Sequence, residues 1–148
     1  MKKNYLAALL AGLMVVVTCF TGCSGQSDEE TTADLAQMFM VALYSQDAEL
    51  AKEICNETGY ATYEALSGML AMASMGMYQE MAAADRDAMV ANIIANVDVM
   101  DVKIINENRA VVTLLSMMTD EPQRIAIPLE KDADGEWKVA VTKAAFNG

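Results

Sequence analysis

After Asn96 the apolar residues stop recurring at intervals of three and four and begin to alternate, and this change of period limits the fold more than any other feature of the chain. Residues 97–105 (VDVMDVKII), 109–118 (RAVVTLLSMM), 123–130 (QRIAIPLE) and 136–143 (EWKVAVTK) read as four strands. They are separated by Asn106-Glu107-Asn108, by the stretch from Thr119 to Pro122 and by the stretch from Asp132 to Gly135. Connections this short join antiparallel neighbours, because a parallel crossover needs a dozen residues or more. A four-stranded meander is therefore expected. Pro128 has no N–H to give a ladder, which puts the third strand at an edge or a bulge at that point.

The chain ahead of the strands has helical spacing. Over residues 28–44, Leu35, Met38, Phe39, Ala42 and Leu43 form an apolar stripe, and Asp28, Glu29 and Glu30 stand at the front, where the helix dipole favours negative charge. Ser45-Gln46-Asp47 breaks this amphipathic helix, and Asp47 can cap a second one that carries Leu50, Ala51, Ile54 and Cys55. The stretch from Asn56 to Gly59 is expected to close it. A third helix is predicted over residues 61–82, with Leu66, Leu70, Ala73, Met77 and Met81 on one side. Gly68 and Gly76 weaken it, each by up to about 1 kcal/mol relative to alanine. Asp85-Arg86-Asp87 starts a fourth helix with Met89, Val90, Ile93 and Ile94 as its stripe. Helices first and an antiparallel sheet afterwards make an α+β domain, with the N-terminal helices packed on the sheet.

The first residues belong to a different solvent. Met1, Lys2, Lys3 and Asn4 form a positive end, and no charge then interrupts the apolar run until Asp28. The run reaches small polar residues by Thr18, short of the roughly 20 apolar residues that a spanning helix needs. That is the layout of an export leader. It ends in Phe20, Thr21, Gly22 and Cys23, which resembles the lipobox of bacterial lipoproteins. The resemblance implies that the Cys23 thiol takes a diacylglycerol, that a peptidase cuts just before it, and that the new amine can take a further acyl chain such as palmitate. Residues 1–22 are then a lipoprotein signal peptide, 23–27 a lipidated tether rich in small polar residues, and 28–148 a single domain. Each buried methylene contributes about 0.8 kcal/mol, so two or three chains hold where one is marginal. The expected location is the bacterial cell envelope, with the outer membrane favoured in a Gram-negative cell because Ser24, not an aspartate, follows the cysteine. Cys19 leaves with the leader. The competing role for Cys23 is a disulfide to Cys19 or Cys55, and Cys55 on an apolar face reads as a small buried hydrophobe.

Charge excludes one class of partner. The full chain has 21 acidic and 10 basic residues, a net charge of −11, and loss of Lys2 and Lys3 with the leader takes it to −13. Nucleic acid is repelled by that sign. Anionic membrane surfaces are too, so the lipid, not charge, would hold the protein at the membrane.

A first helix, then YSQDAELAKEIC as a second helix opened by an aspartate, then RAVVTL and IPLEKDADGEWKVAV, is similar to the small cystatin-like lipoproteins of the nuclear transport factor 2-like superfamily. The resemblance runs from about Asp28 to Phe146 and is strongest in the last hairpin, with Gly135 at its turn and Trp137 pointing inward. It implies a curved sheet wrapped around the first helix, leaving a conical pocket. On that footing Tyr63, Met69, Met77, Asp101 and Trp137 are the candidate ligand-binding residues.

Three chemistries compete for these side chains. Met69, Met72, Met75, Met77 and Met81 resemble the thioether clusters of copper carriers, and soft sulfur suits Cu(I). A spacing of three drifts around a helix, however, so the first three do not share a face, and the chain has no histidine. Asp101 with Lys103 on one strand face, and Tyr60, Tyr63 and Tyr78 about the third helix, could make an acid–base pair of the superfamily type. Asp132-Ala133-Asp134-Gly135-Glu136 begins like a calcium loop but lacks its later ligands, and reads better as a hairpin turn. The sequence therefore favours a non-catalytic module without cofactor or metal. It would bind an apolar small molecule or an envelope protein through the methionine-rich third helix and the concave sheet face; an acid–base enzyme is the alternative, and Cu(I) binding a further one.

Overall fold

The computed structural model describes residues 27–73 and 83–146. Four helices, α1 (Asp28–Ser45), α2 (Ala48–Ile54), α3 (Glu57–Ala73) and α4 (Ala83–Ala95), precede strands β1 (Val97–Asn106), β2 (Arg109–Ser116), β3 (Gln123–Lys131) and β4 (Trp137–Val139), and a 3-10 turn closes the described chain at Lys143–Phe146. The strands pair antiparallel in sequence order, a meander that is curled but not closed, and the helices pack on it. The predicted α+β class and strand order are those observed.

The caps are local and follow the sequence. Ser27 accepts the Glu30 N–H at the start of α1, and Asp47 Oδ1 accepts the Leu50 N–H at the start of α2. Asp132 organises the last hairpin: its carboxylate accepts the Asp134 and Glu136 N–H groups, its carbonyl accepts the Gly135 N–H, and Gly135 takes the left-handed φ of +79° that suits glycine.

Helix α1 departs from the amphipathic expectation. Every residue from Met38 to Leu43 is buried, so this half of the helix has no wet face. The sheet covers one side while α2, α3 and α4 cover the others. Gln37 Nε2 ties α1 to β1 by donating to the Val97 carbonyl, and Trp137 Nε1 ties its start to β4 by donating to Asp28 Oδ1 at 3.0 Å.

Asn56 to Gly59 does not close a helix, contrary to expectation. The chain turns at Cys55, and Asn56 caps α3 by accepting the Gly59 N–H. The third helix therefore begins at Glu57, not at residue 61, and it is described as far as Ala73; residues 74–82 of the predicted span lie outside the described residues. Asn56 also donates its N–H to Val139, and Cys55 bridges the same residue, so the start of α3 is pinned to β4.

The fourth strand is shorter than predicted. The Ala140 N–H donates to the Pro128 carbonyl, but proline has no N–H to return the second bond of that pair, and the ladder stops at Val139. No bulge forms at Pro128 in the β2–β3 register; the residue lies where pairing with β4 ends, which leaves the earlier half of β3 as an edge. The bulges are in β1 instead, where the register skips Met100 and Ile105. Both side chains point to solvent, and bulges of this kind twist an edge strand away from unwanted pairing.

Candidate functional site

The described members of the predicted binding set lie in different environments. Tyr63 and Trp137 are core residues, 3% and 4% exposed, and Trp137 spends its only donor on Asp28. Lys131 Nζ lies 5.0 Å from the Trp137 ring centre and covers its outer side. Asp101 and Lys103 are exposed on β1. Met69 and Met72 stand in solvent on α3, 66% and 82% exposed. Met75, Met77, Tyr78 and Met81 lie outside the described residues, as do Cys19 and Cys23. Among the described residues no group of three or more acidic, cysteine or histidine side chains is placed to hold a metal ion, and no helix is long and apolar enough to cross a membrane.

The concave face of the sheet is occupied by α1. Phe39 and Met40 are fully buried in the same core as Val112, Leu114, Ile127 and Leu129 of the facing strands.

Tyr63 stacks on Tyr60 with ring centres 5.8 Å apart, and burial pushes its phenol above the usual range. The Ser67 hydroxyl acts against this, while the nearby charge of Asp47, not Asp101, adds to it. The structure thus does not couple the phenol to the carboxylate that the acid–base alternative invoked.

Cys55 is a buried free thiol whose burial pushes its pKa up to about 12, with the positive charge of Lys138 opposing in part. It is a packing residue, not a nucleophile. In the unfolded chain the thiol would ionise near 9.0, so between that pH and about 12 the unfolded state holds fewer protons and stability falls as pH rises. At neutral pH a maleimide reagent is expected to leave Cys55 unmodified in the native domain and to label it fully in concentrated guanidinium; rapid native labelling would show that the α2–α3 corner opens.

A cavity does exist, lined by α1, α2 and α4 residues. It has a volume of about 340 Å³ and lies where α1 hands over to α2, with α4 as its third wall. Met38 and Val41 of α1, Leu50 of α2 and Val90 of α4 supply apolar surface. Ser45, Gln46, Asp47, Glu49 and Arg86 supply polar groups. The corner depends on Gln46, which takes a left-handed φ of 60° and donates its Nε2 to the Leu43 carbonyl, while the Asp47 N–H caps the Ala42 carbonyl. This reversal brings the start of α2 over the end of α1.

Sequence reasoning treated Ser45-Gln46-Asp47 as a helix break followed by a cap and did not point to a cavity there. The available signal was a three-residue helix junction without glycine that ends in a capping aspartate, which demands a tight corner. Nothing local linked that corner to Arg86 and Val90, some forty residues further on.

Comparison with protein-family models, with curated proteins and with solved structures returns no match to this chain. The class is set by the structure alone: among the described residues, four helices on an open antiparallel meander make an α+β fold, with a small apolar-floored cavity at a helix corner.

Proposed function

We propose that this protein is an envelope lipoprotein, anchored through acyl chains on Cys23, whose domain binds an apolar small molecule without catalysis in the cavity at the α1–α2 corner. The observation that carries the reading is the apolar floor of Met38, Val41, Leu50 and Val90 in a concavity of about 340 Å³. Small-molecule sites commonly occupy 300–1,000 Å³, with a mainly apolar lining and a few polar groups at the mouth. The anchor fits the geometry: α1 begins at Asp28, so residues 24–27 reach at most about 14 Å and hold the domain close to the bilayer. The exposed Met69 and Met72 favour a second reading, an adaptable contact for an envelope protein partner.

One set of preparations tests both halves of the proposal. Intact mass of the chain extracted from its membrane should match residues 23–148 plus acyl chains, and a bare mass would sink the anchor. The chain from Ser24 onward, which carries every described element, should raise the fluorescence of N-phenyl-1-naphthylamine. Val90→Trp, which fills the cavity from α4, should reduce that binding about tenfold or more. Equal binding by the variant would move the site elsewhere.

A further inference from the structure

We infer that the ligand of the α1–α2 corner cavity carries a positive charge beside its apolar part. This rests on the cavity being a binding site and adds the chemical class of what enters it. The apolar floor accepts a short hydrocarbon group but sets no preference for charge. The polar part of the lining does, because among the described residues it sets two carboxylates, Asp47 and Glu49, beside a single guanidinium, Arg86. Asp47 is held in place by accepting the Leu50 N–H at 3.1 Å, so its charge cannot swing away from the opening. Two helix ends meet here, the C-terminus of α1 and the N-terminus of the shorter α2, and their partial charges oppose one another. The formal charges therefore decide, and they leave one negative unit over. The last turn of α1 contains no basic residue to remove it, and the whole chain, at −11, adds to the same sign. One unbalanced charge about 6 Å from a ligand charge, across a partly wet mouth, corresponds to about a tenfold change in affinity. An alkylammonium compound gains from floor and mouth together, a neutral alcohol from the floor alone, and a carboxylate loses at the mouth what it gains below.

The test uses the full chain in phosphatidylcholine nanodiscs with methyl-labelled methionine. Met38 lines the cavity and its resonance is assigned with Met38→Leu. Three probes with one tail are titrated: pentyltrimethylammonium, pentanol and hexanoate. The expected result is a Met38 shift that saturates at about tenfold lower concentration for the ammonium than for pentanol, with hexanoate weakest. In the double variant Asp47→Asn, Glu49→Gln the advantage of the ammonium should disappear; asparagine caps a helix as well as aspartate, so α2 keeps its start. If pentanol and the ammonium bind equally, or the preference survives in the double variant, the charge inference is overturned and the cavity reading stands. If no probe moves Met38, both fall.

Discussion

Gly59→Ala is expected to destabilise the domain by about 1–2 kcal/mol net, although alanine is the better helix former. Gly59 sits in the first turn of α3 where that helix rests on the backbone of β4. A Cβ there would overlap the Val139 carbonyl oxygen, and would lie 2.9 Å from the Val139 carbonyl carbon and 3.2 Å from the Cys55 Cβ. Those are backbone and short side-chain atoms that cannot rotate aside, so α3 or β4 must move. Overpacking of this kind costs typically about 1–3 kcal/mol and occasionally more, against a propensity gain of about 1 kcal/mol. Gly68, nine residues on in the same helix, is the control, because a Cβ there meets nothing within 4 Å. Gly68→Ala should therefore stabilise by about 0.5–1 kcal/mol. Urea denaturation of both variants reads the contrast directly. If Gly59→Ala is as stable as Gly68→Ala, α3 is not seated on Val139.

Phe39→Ala should cost still more, about 3–5 kcal/mol, the range for removing a fully buried aromatic ring. Phe39 is 0% exposed, and its ring centre lies 6.1 Å from that of Phe146, so it joins the centre of α1 to the final turn of the chain. The magnitude separates two pictures of the concave sheet face. If α1 packs that face solid, truncation leaves a dry hole and the full penalty appears in the urea midpoint. If the face were an open pocket, water would fill the space and the loss would stay near or below about 1 kcal/mol.

These two sites also show where sequence reasoning reached its limit. Gly59 looked like part of a helix-closing stretch, since Asn and Gly together commonly punctuate a chain. Its actual role, close approach to a strand eighty residues away, has no local signature. Phe39 was legible as a core residue, but not the burial of its neighbours Met40 and Val41 on the opposite side of the same helix. Of the candidate site, Met38, Leu50 and Val90 were read in sequence only as apolar helix-stripe residues, and Asp47 for its capping chemistry, which the Leu50 N–H contact bears out. Tyr63 and Trp137, taken as binding candidates in sequence, lie in the core, while Gln46 and Arg86 were read only as parts of a helix break and a helix start and Glu49 was not singled out, because nothing in their spacing joins them.

What the sequence determined by itself is what short-range physics controls. Alternation with short connectors is enough for the antiparallel meander, Asp47 for a helix start, and Asp132 with Gly135 for the last turn, since each depends on residues within a few positions of one another. The tertiary structure decided the rest: the all-round burial of α1, the seating of α3 on β4, the early end of β4 at Pro128 and the cavity at the α1–α2 corner. Each depends on segments distant in sequence, as in the bond from Trp137 to Asp28 across 109 positions. The free energy of such contacts exists only once the chain has closed the loops between them, and so it leaves no periodic trace in the order of the residues.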